Sequence, residues 1–197
     1  MAIKVITPPA AEPITLQEAK DQLRIFHNEE DTLIEHYISA ARIDAEASQH
    51  RAYITQTIRY TMDNWPSVRR ICLPRSPLQS VTSVEYLDRD GATQTLPAAN
   101  YTVDTDSEPG RIILNPGETW PTGLYPYSAI QITFIAGYGD RPAVPLNIKQ
   151  AIMFLTAHYF EHREEIAGSG HIPQRIPGAA RDILAKDPIY WTEDLNQ

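Results

Sequence analysis

The sequence predicts an α+β protein: a helical bundle of two N-terminal helices plus a helix near 145–165, a central antiparallel β module, and an extended C-terminal tail. Three observations carry this reading. Apolar residues recur at helical spacing before residue 50 and again after residue 145. Between these stretches the pattern alternates with a period of two, as half-buried strands do. Turn residues punctuate the middle at short intervals, so its strands connect as antiparallel neighbours. The division that follows is 1–53 and 138–167 for the helical body, 54–137 for the β module and 168–197 for a tail or docking arm.

Each element has a local cause. Residues 1–14 read as extended, because Pro8, Pro9 and Pro13 forbid a helix there. Thr15 and Glu18 form a capping box that opens the first helix, with Leu16, Ala19, Leu23 and Phe26 as its apolar stripe. His27 and Asn28 break it. A second helix follows over about residues 29–50, with Leu33, Ile34, Tyr37, Ile38, Ala41 and Ala45 on a wide apolar face. Glu29, Glu30 and Asp31 stand in its first turn, where the helix dipole favours negative charge.

From residue 54 the period changes. Ile54, Gln56, Ile58, Tyr60 and Met62 alternate with Thr55, Thr57, Arg59 and Thr61 until Trp65-Pro66. Further strands are expected at Ile71–Leu73, Val81–Leu87, Thr93–Leu96, Tyr101–Val103, Arg111–Leu114 and Ala129–Ile135. Asp88-Arg89-Asp90-Gly91 is a hairpin turn, since Gly supplies a positive φ. Glu108-Pro109-Gly110 and Asn115-Pro116-Gly117 are turns as well. The last strand breaks at Gly137 and Gly139. A helix opens at Pro145 with Ile148, Ile152, Leu155 and Tyr159 on one face. Leu33, Ile38, Ile152 and Leu155 are the expected helical core. Gly168-Ser169-Gly170, Pro173 and Pro177 interrupt the chain, and Ala179–Lys186 is a short helix stopped by Pro188. The tail carries Ile183, Leu184, Ile189, Tyr190 and Trp191, which need burial; they either fold back on the body or dock elsewhere, and are the expected docking anchors on a neighbour or partner.

Composition excludes several function classes. Lys and Arg number 17 against 25 Asp and Glu, a net charge of −8, which disfavours a nucleic-acid grip. The single cysteine, Cys72, allows no internal disulfide and reads as a small buried residue in a strand. No apolar run reaches membrane-spanning length, and MAIKVITPPAAEP lacks the apolar core of a signal peptide, so a cytoplasmic site of synthesis is expected.

Candidate chemistry is thin. His158 and His162 have the i, i+4 spacing of a metal pair, but Tyr159 stands where a zinc-protease helix needs Glu, and no third ligand is evident. Asp104, Asp106 and Glu108 resemble a calcium loop whose Gly comes one place late, which leaves an acidic turn. Gly137-Tyr138-Gly139-Asp140 is too short for a phosphate cradle, and no nucleophile elbow occurs. Arg69, Arg70 and Arg75 form a basic cluster that could touch phosphate but in an acidic chain is expected to pair with carboxylates, within the subunit or across a subunit boundary. No enzyme, cofactor or metal is expected. The alternative is a small-ligand or glycan-binding β module with helical flanks, in which Tyr86, Tyr101, Trp120, Tyr125 and Tyr127 would stack on the ligand.

PITLQEAKDQLRI (13–25), EDTLIEHYISAAR (30–42), LPRSPLQSVTSVEYLD (73–88) and the AGYGD…VPLNIKQAIMFLTAHYFEHRE segment (136–164) together resemble head–tail connector (adaptor) proteins of long-tailed double-stranded-DNA phages and related gene-transfer agents. The resemblance runs from about residue 5 to 165 and lies in the ordered set rather than in one motif. It implies a non-enzymatic virion protein at the head–tail junction. Such a protein forms a homo-oligomeric ring, usually of twelve, between the portal protein and a tail-side stopper or terminator protein. DNA passes through the lumen without specific binding, and no membrane is involved. Twelve copies at −8 each would carry −96, and a negative lumen repels phosphate.

Overall fold

A computed structural model of the chain describes residues 1–162 and 178–189. The elements in chain order are β1 (Ala2–Thr7), α1 (Leu16–Leu23), α2 (Asp31–Gln49), β2 (Gln56–Met62), β3 (Arg70–Cys72), β4 (Leu78–Leu87), β5 (Thr93–Thr95), β6 (Tyr101–Asp104), β7 (Arg111–Leu114), β8 (Ile130–Ala136), α3 (Leu146–Glu161) and α4 (Gly178–Leu184). They fall into two units. The β unit holds Met1–Ala10, His50–Tyr138 and Ile189; the helical unit holds Ala11–Gln49 and the described residues of Gly139–Pro188.

In the helical unit, α3 packs on α1, α2 and α4. The capping box forms: Glu18 N–H donates to Thr15 Oγ1 at 3.0 Å and Thr15 N–H donates to Glu18 Oε2 at 2.6 Å. The bond from the Thr15 amide holds the Glu18 carboxyl below its usual range. Arg24 takes a left-handed conformation (φ 57°) and ends α1. Phe26 therefore falls off the apolar stripe to which its spacing assigned it and is 90% exposed. Lys20 is buried, and its ammonium donates to Asp31 Oδ1 at 2.6 Å and Asn28 Oδ1 at 2.8 Å, clamping the α1–α2 turn.

The buried stripe of α2 is Ile34, Ile38, Ala41 and Ala45. It meets Ile148, Ala151, Ile152 and Leu155 of α3 in the core of the unit. Leu33 is a correction. One position from Ile34, it lies about 100° round the helix and is only half-buried. Charge is built into this core too: Arg42 bonds Glu12 at 2.7 Å and Glu46 at 2.9 Å, and Arg42 and Glu46 are both buried.

The β unit has a five-stranded antiparallel sheet, order β1-β2-β8-β4-β5, and a three-stranded sheet, order β3-β7-β6. Both sheets feed one apolar core. Ile58, Tyr60, Ile132, Phe134 and Val84 come from the first sheet, and Ile71 and Ile112 from the second. Asp88-Arg89-Asp90-Gly91 makes the β4–β5 hairpin, with Gly91 at φ 82°. Residues 2–7, expected merely to be extended, pair along β2 from Ala2↔Thr61 to Thr7↔Thr57 and form an edge of the large sheet. At the end of β8, Gly137 has φ 129°, and a Cβ there would lie 2.6 Å from the Ile54 carbonyl group. Only glycine fits.

Candidate assembly surfaces

The residues singled out for chemistry are structural. Cys72 is buried in β3, and burial pushes its thiol pKa up, away from the reactive thiolate. The Asp104 carboxylate accepts from Ser107 Oγ at 2.8 Å and from Arg111 Nε at 2.8 Å. These bonds hold its pKa down to about 2, so the acidic stretch is a closed turn. His158 and His162 lie side by side at the end of α3 with ring centroids 4.5 Å apart and planes tilted by 33°, and the His162 amide closes the helix on the His158 carbonyl at 3.0 Å. Among the described residues no group of three or more His, Cys, Asp or Glu is placed to hold a metal ion, and no helix is long and apolar enough to cross a membrane.

Two members of the basic cluster bond main-chain carbonyls. Arg69 donates to the main-chain carbonyls of Leu114 and Asn115, tying itself to the end of β7, and Arg75 donates to the Arg51 carbonyl at 3.3 Å. Elsewhere in the β unit a buried cation meets a more exposed carboxylate. Arg51 is 1% exposed and donates to both Glu108 oxygens, at 2.9 and 2.7 Å. Their pairing had no sequence signal, because they are 57 positions apart.

The aromatic residues of the ligand-binding alternative are largely spent on packing. Trp65 and Trp120 stack with centroids 4.7 Å apart and planes 6° from parallel, and Tyr86 meets Trp65 edge-on at 6.0 Å. The Trp120 indole N–H donates to the Val68 carbonyl at 2.9 Å. Tyr101 and Tyr125 lean on the same core, and Tyr127 is exposed but packs edge-on against Tyr125.

Of the expected docking anchors, Leu184 and Ile189 are buried in the subunit itself. The Leu184 carbonyl accepts from Gln49 Nε2 at 2.9 Å, so α4 is sewn to α2. Ile183 is half-buried, and Tyr190 and Trp191 lie outside the described residues. Ile38, Ile152 and Leu155 are buried as core.

Among the described residues, the large apolar side chains left in water form a different set. In the helical unit they are Phe26, Ile43 and Leu146; in the β unit, Met1, Ile3, Val5 and Ile6, besides Tyr127. A helical-unit groove of about 350 Å³ runs between Glu12, Thr15, Glu35 and Arg141 over Ile14 and Ile38. Such features suit contacts with other chains better than turnover of a small molecule. Sequence periodicity misses them because it reports which face is apolar, not whether the fold covers it.

Residues 13–84 match the family model of phage gp6-like head-tail connector proteins. A chain from the neck of an empty GTA particle computed with C6 symmetry superposes with a TM-score of 0.80 at 24% identity, covering 98% of this chain and 97% of that one. A chain from the virion of a native gene transfer agent (GTA) particle gives 0.79 at 22% identity, covering 98% and 97%. One from the neck of a native GTA particle computed with C12 symmetry gives 0.78 at 23% identity, with the same coverage. A comparison with the curated proteins gives no match. Over residues 13–84 the chain thus carries the sequence pattern of the phage gp6-like head-tail connector proteins, and its fold is that of the chains in the gene-transfer-agent neck.

Proposed function

We propose that this chain is a structural virion protein: a ring adaptor at the head–tail junction that extends the DNA channel from portal to tail and serves genome packaging, retention and ejection. The observation that carries the reading is the match of residues 13–84 to head-tail connector proteins. The shared fold with the GTA neck chains supports it, and the C6 and C12 symmetries of those necks support repeated copies about an axis. The role is non-enzymatic, as suits a protein whose candidate catalytic groups are engaged in turns and core.

The finer assignment is a ring of twelve, with the portal protein on one side and a tail-side stopper or terminator protein on the other. The surplus of carboxylates, 25 against 17 cations, suits a channel through which DNA slides without sticking. Tyr190 and Trp191 keep the docking role on composition. Electron microscopy of particles made with and without the chain tests the reading. Particles with the chain should show a ring of density at the junction, and particles without it should accumulate as tailless heads. Intact head–tail joints in its absence would overturn the proposal.

A further inference from the structure

The β1 strand has the properties of a seam awaiting a neighbour. All six of its residues are exposed. Ile3 and Val5 are in register with Tyr60 and Ile58 of β2, both buried on the core face of the sheet. Residues of paired strands in register project to the same face. The core face of the sheet therefore continues onto β1, yet Ile3 stays 42% and Val5 47% exposed. The apolar layer is not finished within one subunit. The opposite edge of the sheet, β5, is three residues long and polar (Thr93, Gln94, Thr95), as a blunted edge should be.

The other face of β1 supplies a second, independent observation. Lys4 is in register with Arg59, and the row continues through Thr133 and Ser83 without a carboxylate. Arg59 has its Nε buried without an acceptor. A desolvated guanidinium donor is normally paired. Two adjacent cations without a carboxylate in their row are anomalous in a chain with 25 carboxylates and a net charge of −8. Beside the start of the strand lies a groove of about 360 Å³ that Met1 shares with Met62, Asp63, Trp65 and Pro66, so apolar strand and groove form one continuous surface.

We infer that β1 and the Lys4–Arg59 pair form a subunit–subunit seam, occupied by a second copy of this chain that covers Ile3 and Val5 and brings a carboxylate to Arg59. Charge complementarity selects the occupant: the partner must be acidic, and a copy of this chain is. The contact joins a long apolar edge to a different surface of the next copy. It is therefore heterologous, the kind that closes into a ring. This inference rests on the ring-adaptor reading.

The test is photo-cross-linking in assembled particles. Val5 is replaced by p-benzoyl-phenylalanine, with Thr95 on the opposite edge as control. The expected product from Val5, absent from Thr95, has twice the 22.2 kDa subunit mass. Arg59→Gln and the double change Ile3→Ser with Val5→Ser are each expected to lower ring incorporation at least tenfold. The melting temperature of the isolated subunit should stay unchanged for Arg59→Gln, since the buried Nε has no acceptor among the described residues to lose. If microscopy shows the ring but Val5 gives no dimer, or cross-links to a different protein, the seam is wrong and the ring stands. Normal incorporation of both variants refutes the seam equally. If no ring contains the chain, the adaptor reading fails and the seam with it.

Discussion

Removing Glu108 should cost the β unit more than removing the buried cation it serves. Arg51 is 1% exposed and donates two hydrogen bonds to Glu108, at 2.9 and 2.7 Å. Glu108→Ala takes this carboxylate away from a guanidinium in the interior. Truncating one partner of a buried pair costs about 3–5 kcal/mol. The Glu108 side chain is 41% exposed, however, so water can enter its place and screen the charge. The discounted loss is about 2–3 kcal/mol. Arg51→Met removes the charge, fills most of the volume and leaves a carboxylate that solvent can hydrate, so its loss should be smaller. The Trp65–Trp120 stack lies in the same unit, and its fluorescence in urea reports the transition. With a slope of about 1–3 kcal/mol per molar, Glu108→Ala should lower the midpoint by roughly 0.7–3 M. The pH dependence gives a second reading. The Arg51 bond, ahead of the opposing effect of burial, sets the Glu108 pKa below its ordinary 4.5. Its stabilisation is thus complete above that value and lost as pH falls through the folded one. Glu108→Gln should flatten this acid limb. A larger loss for Arg51→Met than for Glu108→Ala, or a Glu108→Ala loss under about 0.5 kcal/mol, would refute the reasoning, since surface changes typically fall within that range.

Three further outcomes are expected. Ile152→Asp places an unpaired charge among Ile34, Ile38 and Leu155 and should leave no cooperative helical transition by far-UV circular dichroism; a soluble variant with unchanged melting temperature contradicts the helical core. Gly137→Ala must adopt φ 129° with its Cβ 2.6 Å from the Ile54 carbonyl group, so a loss of at least about 2 kcal/mol in urea is expected, and a neutral result would deny the close approach. Asp104 is held at about 2, well below its usual 3.8, chiefly by Ser107 and then Arg111, so its contribution is complete above pH 3.8 and lost between 3.8 and about 2. The melting-temperature gap between wild type and Asp104→Asn should close over that interval, and a gap constant with pH would show that the bonds do not govern the carboxyl.

How far the fold was legible depended on the range of the interaction. Local devices were read correctly. The Thr15–Glu18 box, the Asp88–Gly91 turn and the period of two through β2 each lie within a few residues and need no partner. Errors arose where a distant residue or a backbone reversal decided the outcome. Phe26 follows a left-handed Arg24 that periodicity does not see. Residues 2–7 looked merely extended because their partner, β2, begins some fifty positions later. Buried charges were the least legible: Lys20, Arg42 and Arg51 read as solvent-facing by type, and only the fold brings Asp31, Glu12 and Glu108 to them.

The assembly surface was hidden for a related reason. A catalytic constellation has fixed residue types, so its absence can be read along the chain. A ring interface needs only apolar area without cover and charge without a partner, and both are properties of the finished fold. Ile3 and Val5 have the composition of any half-buried strand, and Arg59 that of any polar position in one. What distinguishes them is that β1 is an edge, that Ile3, beside Tyr60, stays 42% exposed, and that the row holding Lys4 and Arg59 has no carboxylate. In a protein whose own surface is rich in carboxylate, the deficit at one edge and the surplus elsewhere are complementary halves of one contact. Repetition of that contact about an axis satisfies every copy at once, whereas any open assembly leaves one edge bare.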